Sequence, residues 1–161
     1  MPHGGTLLRP SGADPGDTGR QFLVWAWRRI IVGRGDCPAV ARALALHCGE
    51  DAGEVLATLS TFLQALSYTA RRRLQVGHPG CAGITADEQQ LLALVAAAQA
   101  GEAPLMEAHL RWLVRPDARI PAAIAAGALG TALSVHGLVL TLPEPVVPLR
   151  RPPASVPMAA V

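Results

Sequence analysis

Residues 85–101 read "TADEQQLLALVAAAQAG", and the class of the whole chain turns on this stretch. Thr85 and Glu88 stand at capping-box spacing. The threonine hydroxyl can accept an orphan N–H of a first helical turn, while the glutamate reaches back to the threonine N–H. Leu91, Leu92, Leu94, Val95 and Ala98 follow, and Gly101 closes the run. A cap, an Ala- and Leu-rich run and a glycine stop define an α-helix.

The same punctuation recurs on both sides. "TGRQ" (18–21) reads as a capping box opening a helix to Val32, stopped by Gly33. "GDCP" offers Asp36 or Cys37 as a cap, with Pro38 in the first turn of a short helix to Cys48. "DAGE" (51–54) opens a long helix ending near Gln75, with Val55, Leu56, Leu59, Phe62, Leu63, Leu66 and Ala70 on one stripe. Pro104 starts another, which carries Leu105, Met106, His109, Leu110 and Leu113 and closes at Arg115–Pro116. Asp117 caps the last, and the chain can leave it after Gly137 and run extended over 138–142.

The fold class expected is therefore all-α: a compact bundle of about six antiparallel helices over 17–142. A Gly-, Pro- and Asp-rich stretch, 1–16, reads as a flexible arm. The last nineteen residues carry six prolines and read as a disordered, polyproline-like tail, 143–161. Composition agrees: half the residues are hydrophobic and only 4% aromatic, with Ala and Leu dominant. All fourteen basic residues are arginine, which, with abundant Ala, Gly and Pro, points to a GC-rich bacterial genome. Three cysteines make no disulfide framework, and the opening residues show no secretory signal, so a reducing, cytoplasmic setting is expected.

Charge placement bears on function. Asp17, Asp36, Glu50, Asp51, Glu54, Asp87, Glu88, Glu102 and Asp117 fall near expected helix starts, and Arg28, Arg29, Arg71, Arg72, Arg73 and Arg115 near helix ends. The helix dipole favours both placements. No pair of carboxyls, and no carboxyl with a histidine, stands out as convergent acid–base machinery, so the reading leans away from an enzyme.

Two turns carry His and Cys. "LHCG" holds His47 and Cys48, and "HPGC" holds His78 and Cys81. By residue type these four are a zinc or thiol-chemistry set if the turns meet. Cys37 and Cys48 flank one helix and stand roughly 16 Å apart, too far to share an ion. A C-x-x-C knuckle is missing, and small buried thiols in turn-rich connections explain the pattern equally.

The remaining features concern partners. "WAWRR" makes the first helix apolar on more than one side. It is either a central core helix with Trp25 stacked under an arginine, or a surface where Trp25, Arg28 and Arg29 bind another protein. "PVVPLR" adds Pro145, Pro148 and Arg150 as a ligand for an SH3-type groove. "RRR" (71–73) spreads over about 200° of a helix, and a net charge of +2 disfavours nucleic acid. "RGD" (34–36) is better explained by its helix-capping Asp. Residues 120–140 are long enough to cross a bilayer, but their weak, Ala- and Gly-rich apolarity favours a core helix. The expected function is that of a non-enzymatic, regulatory protein that acts by binding another protein, with self-association left open; a zinc- or thiol-dependent module at the 47–48 and 78–81 turns and membrane association through 120–140 are the alternatives.

Overall fold

The computed structural model describes residues 15–142. The expected arm, apart from its last two residues, and the expected tail with Pro145, Pro148 and Arg150 lie outside the described residues. The chain is all-α. Its helices are α1 (Pro15–Val32), α2 (Pro38–Cys48), α3 (Ala52–Thr69), α4 (Ala86–Ala100), α5 (Ala103–Leu113) and α6 (Arg119–Val135). Short 3-10 turns, Gly49–Asp51 and Pro116–Ala118, lead into α3 and α6. Among the described residues the only β pairing is an isolated antiparallel bridge between Ala70 and Val114.

The start signals differ in what they achieve. At Thr85 both capping-box bonds form, and Gly101 takes the left-handed conformation (φ 71°) that ends α4. At "TGRQ" the box is not used, because α1 begins at Pro15 and places Thr18 inside the helix. Gln21 instead donates to Asp17 one turn back, at 2.8 Å. Neither Asp36 nor Cys37 makes a side-chain cap for α2, whose N-cap is Cys37. Asp51 and Asp117 sit in the 3-10 turns, and neither α3 nor α6 has a side-chain cap. The turns lead directly into the helices and supply the first backbone bonds.

The end of α3 is a second correction. The helix stops at Thr69, well before Gln75, so Arg71–Arg73 are not helical. Tertiary pairing stops it. The Arg71 N–H donates to the Leu113 carbonyl at 3.0 Å, and the Arg115 N–H donates to the Thr69 carbonyl at 2.9 Å. The exits of α3 and α5 thus satisfy each other's terminal backbone groups.

α4 is the central rod. Residues 91–97 are all buried, around its whole circumference, and α6 and α5 pack on it. Gly130 of α6 makes the close approach of the two helices feasible. A Cβ on Gly130 would lie 3.3 Å from the Ala98 Cβ and 3.2 Å from the Gln99 nitrogen. Beyond Gly137 (φ 73°) the chain runs without helix, and Gln99 holds it. The Gln99 amide donates to the Leu138 carbonyl and accepts from the Leu140 N–H, both at 2.8 Å. Leu138 and Leu140 are buried as a result. α1 contributes Leu23, Val24, Ala26, Trp27 and Ile30 to the core, with Trp27 6.5 Å from Phe62 between ring centres.

Candidate functional site

The irregular connection 71–85 is held by two adjacent carboxylates at the start of α4. Glu88 is fully buried and accepts four hydrogen bonds. Arg28 donates to it twice, from Nε at 2.7 Å and from Nη2 at 2.8 Å. The backbone N–H groups of Gly77 (3.0 Å) and Thr85 (2.8 Å) supply the other two. Arg28, itself only 4% exposed, also donates to the carbonyls of Cys81 (2.7 Å) and Gly83 (2.5 Å). One guanidinium fork thus ties α1, α4 and the "HPGC" turn together. Burial pushes the Glu88 carboxyl up, but the Arg28 bonds and the two backbone N–H groups outweigh it and hold the group below its ordinary value.

Asp87 repeats the arrangement nearer the surface. Arg72 donates to it bidentately at 2.6 and 2.8 Å, and the Gln75 N–H adds a third bond at 2.7 Å. The Arg72 bonds hold the Asp87 carboxyl below its ordinary value against the effect of burial. The Thr85 hydroxyl donates to the Gln75 carbonyl at 2.6 Å. The run "RRR" is therefore divided three ways. Arg71 donates to the Arg111 carbonyl, Arg72 is committed to Asp87, and the exposed Arg73 side chain bonds no other described residue.

Beside this connection lies an open groove of about 350 Å³ between the ends of α1 and α3 and residues 72–76. Ile31, Leu63, Leu66, Leu74, Val76 and Leu91 supply its apolar lining, with Arg73 also bordering it. Ile31 is 44% exposed there, unusual for an isoleucine at the edge of a core.

The residues singled out from the sequence are dispersed. Trp25 is half-buried, 5.8 Å from Phe22 between ring centres, with the Arg29 guanidinium 5.3 Å over its ring. Arg29 is exposed, whereas Arg28 faces inward. Arg29 therefore shares a surface with Trp25, and Arg28 does not. An arginine near a helix C-terminus reads as a solvated dipole partner until its buried acid, sixty positions away, is known.

His47, Cys48, His78 and Cys81 are not gathered. Among the described residues no three or more His, Cys, Asp or Glu side chains come together as a metal-holding group. The His47 ring bonds the His136 carbonyl and the His78 ring the Pro79 carbonyl. Cys48 is buried, which raises its thiol pKa, while Cys81 is exposed. His109, unremarked as a site in the sequence, has Nδ1 2.8 Å from the Gln90 side-chain oxygen and a buried Nε2 with no partner among the described residues. Burial lowers its pKa.

A second exposed feature lies on α6. Ile120 (76%), Ile124 (68%) and Val135 (73%) are exposed, with Ala128 and Thr131 exposed between them. The spacing follows one face of the helix. No charged residue lies between Arg119 and Val135.

No family model, no curated protein and no solved structure matches the chain.

Proposed function

We propose that this chain, a compact bundle of about six antiparallel helices, is a non-catalytic protein that acts by binding another protein. The observation that carries this reading is the outer face of α6. Its large aliphatic side chains, Ile120, Ile124 and Val135, are exposed along one stripe that bears no charge. Scattered exposed apolar residues are ordinary on a soluble protein, whereas an aligned set on one element marks a contact surface. The core of this molecule is complete without the stripe, because α6 buries Ala122, Ala126, Leu129, Gly130 and Leu133 on its opposite side.

The test is site-specific photo-crosslinking in the cells that make the protein. A photoreactive residue at Ile124 is expected to form a discrete adduct with another polypeptide, lost in Ile120→Asp. The same residue at Gln64, on the exposed polar side of α3, is the control. Absence of an Ile124-specific adduct would falsify the reading.

One observation favours a second reading, attachment to a membrane. Pro116–Val135 is a 20-residue segment containing an 18-residue window of mean hydropathy 1.4, of which 33% is buried, so by length and composition it could cross a bilayer. Co-sedimentation with phospholipid vesicles separates the two. Vesicle binding abolished by Ile120→Asp, with no protein adduct at Ile124, would move the assignment to lipid.

A further inference from the structure

We propose that the groove between α1, α3 and residues 72–76 is a binding site for an extended peptide of alternating apolar and acidic residues, a proposal that rests on the protein-binding reading. The argument begins with the backbone of the connection. The Arg73 carbonyl accepts from Arg72, the Gln75 N–H donates to Asp87, the Gln75 carbonyl accepts from Thr85, and the Gly77 N–H donates to Glu88. The N–H and C=O groups of Leu74 and Val76 bond no other described residue. Gln75 is thus tied at both backbone groups, Arg73 at its carbonyl and Gly77 at its N–H, while Leu74 and Val76 between them are free. That is the period-two pattern of an extended segment with one edge paired and the other open.

At Gln75 and Gly77 the paired edge is secured by α4's carboxylates and cap instead of by a neighbouring strand. The open edge belongs to Leu74 and Val76, and both of these residues also line the apolar groove. Four unpaired backbone groups in alternation call for a partner with donors and acceptors at the same repeat. Another extended chain has them; a fatty acyl chain or a simple anion does not. The lining selects the side chains. Ile31, 44% exposed, and the half-buried Leu74 and Val76 offer the apolar surface, over a floor of the buried Leu63, Leu66 and Leu91, and an open groove of about 350 Å³ accommodates a residue of valine or leucine size. Arg73, exposed and unpaired among the described residues, supplies a charge for an acidic neighbour.

The Asp87 and Glu88 clamps give the site its preorganisation. The segment 73–77 is already held before a peptide arrives, so little ordering entropy opposes strand addition.

The probe is a phage-displayed library of random heptapeptides selected on the full chain. The strongest selected peptide is then synthesised and measured by fluorescence anisotropy and by amide NMR shifts. Enriched peptides are expected to alternate aliphatic and acidic residues and to shift the amides of Leu74 and Val76. Arg73→Glu is expected to weaken binding at least tenfold, and a peptide with its acid replaced by arginine to recover most of that loss. Ile31→Asp, a change at a partly exposed position that spares the fold, is expected to weaken binding similarly. Selected peptides that bind wild type, Arg73→Glu and Ile31→Asp alike, or that shift α6 amides instead, would overturn the groove while leaving the protein-binding reading in place. Failure to enrich any peptide, alongside a protein adduct at Ile124, would also sink the groove alone. Loss of the adduct and of enrichment together would remove both.

Discussion

Gly77 lies flat against the guanidinium of Arg28: a methyl group on Gly77 would sit 2.5 Å from Nη2 and 2.7 Å from Cζ. Glycine is required here by close approach, not by an unusual backbone angle. Gly77→Ala must push Arg28 off Glu88 or move the connection. The expected loss is about 2–3 kcal/mol, as for other forced overpacking. Gly83→Ala, where an added Cβ meets nothing within 4 Å, should change stability by less than about 0.5 kcal/mol. Urea unfolding of the two variants checks the contrast.

The Arg28–Glu88 pair is buried, so breaking it on one side should cost about 3–5 kcal/mol. Glu88→Ala is expected to reach the upper part of that range, because the Thr85 and Gly77 N–H groups lose their acceptor as well. The double change Arg28→Met with Glu88→Leu should recover part of the loss, since no lone charge remains. Recovery stays incomplete because those backbone donors remain unpaired. Chemical denaturation of the single and double variants measures both effects.

Stability should fall with acid in two stages. Burial lowers the His109 pKa, so below its ordinary value of about 6.5 the unfolded chain binds a proton that the folded chain resists. Stability is then lost as pH falls through that region. His109→Gln should remove this first stage. Asp87 and Glu88, also held low, contribute a constant amount while both states are ionised. Their contribution is lost below about pH 4.3, where the unfolded carboxyls protonate first. Melting temperatures of wild type and His109→Gln between pH 8 and pH 3 test the sequence of events.

Gln99→Ala should release the segment that follows α6. The change removes one donor and one acceptor holding Leu138 and Leu140, at an expected cost of about 1–3 kcal/mol. Faster hydrogen exchange at the Leu140 amide, with the α4 amides little changed, is the expected signature.

Helix boundaries set by local chemistry were legible. Thr85 with Glu88, Pro38, Gly33 and Gly101 each act on the backbone within a turn of themselves, so residue type and spacing suffice. The end of α3 was not legible, because Arg71–Arg73 suit a helical last turn and only the pairing with α5 forbids it. The Arg28–Glu88 clamp was hidden for a different reason. Glu88 already had a complete local role as the third residue of a capping box, so nothing about it asked for a second partner. Its double duty becomes visible only when α1 and α4 are brought together. The groove depends on the same long-range contacts, since its lining comes from α1, α3, α4 and the connection between the last two.

Gly19, near the beginning of α1, leaves only 3.1 Å between an added methyl and the carbonyl of Val139. The first turns of α1 and the segment that follows α6 therefore lie against each other. The order in which the rods are threaded could be rewired by joining those two segments and opening the chain elsewhere, with little disturbance to the architecture.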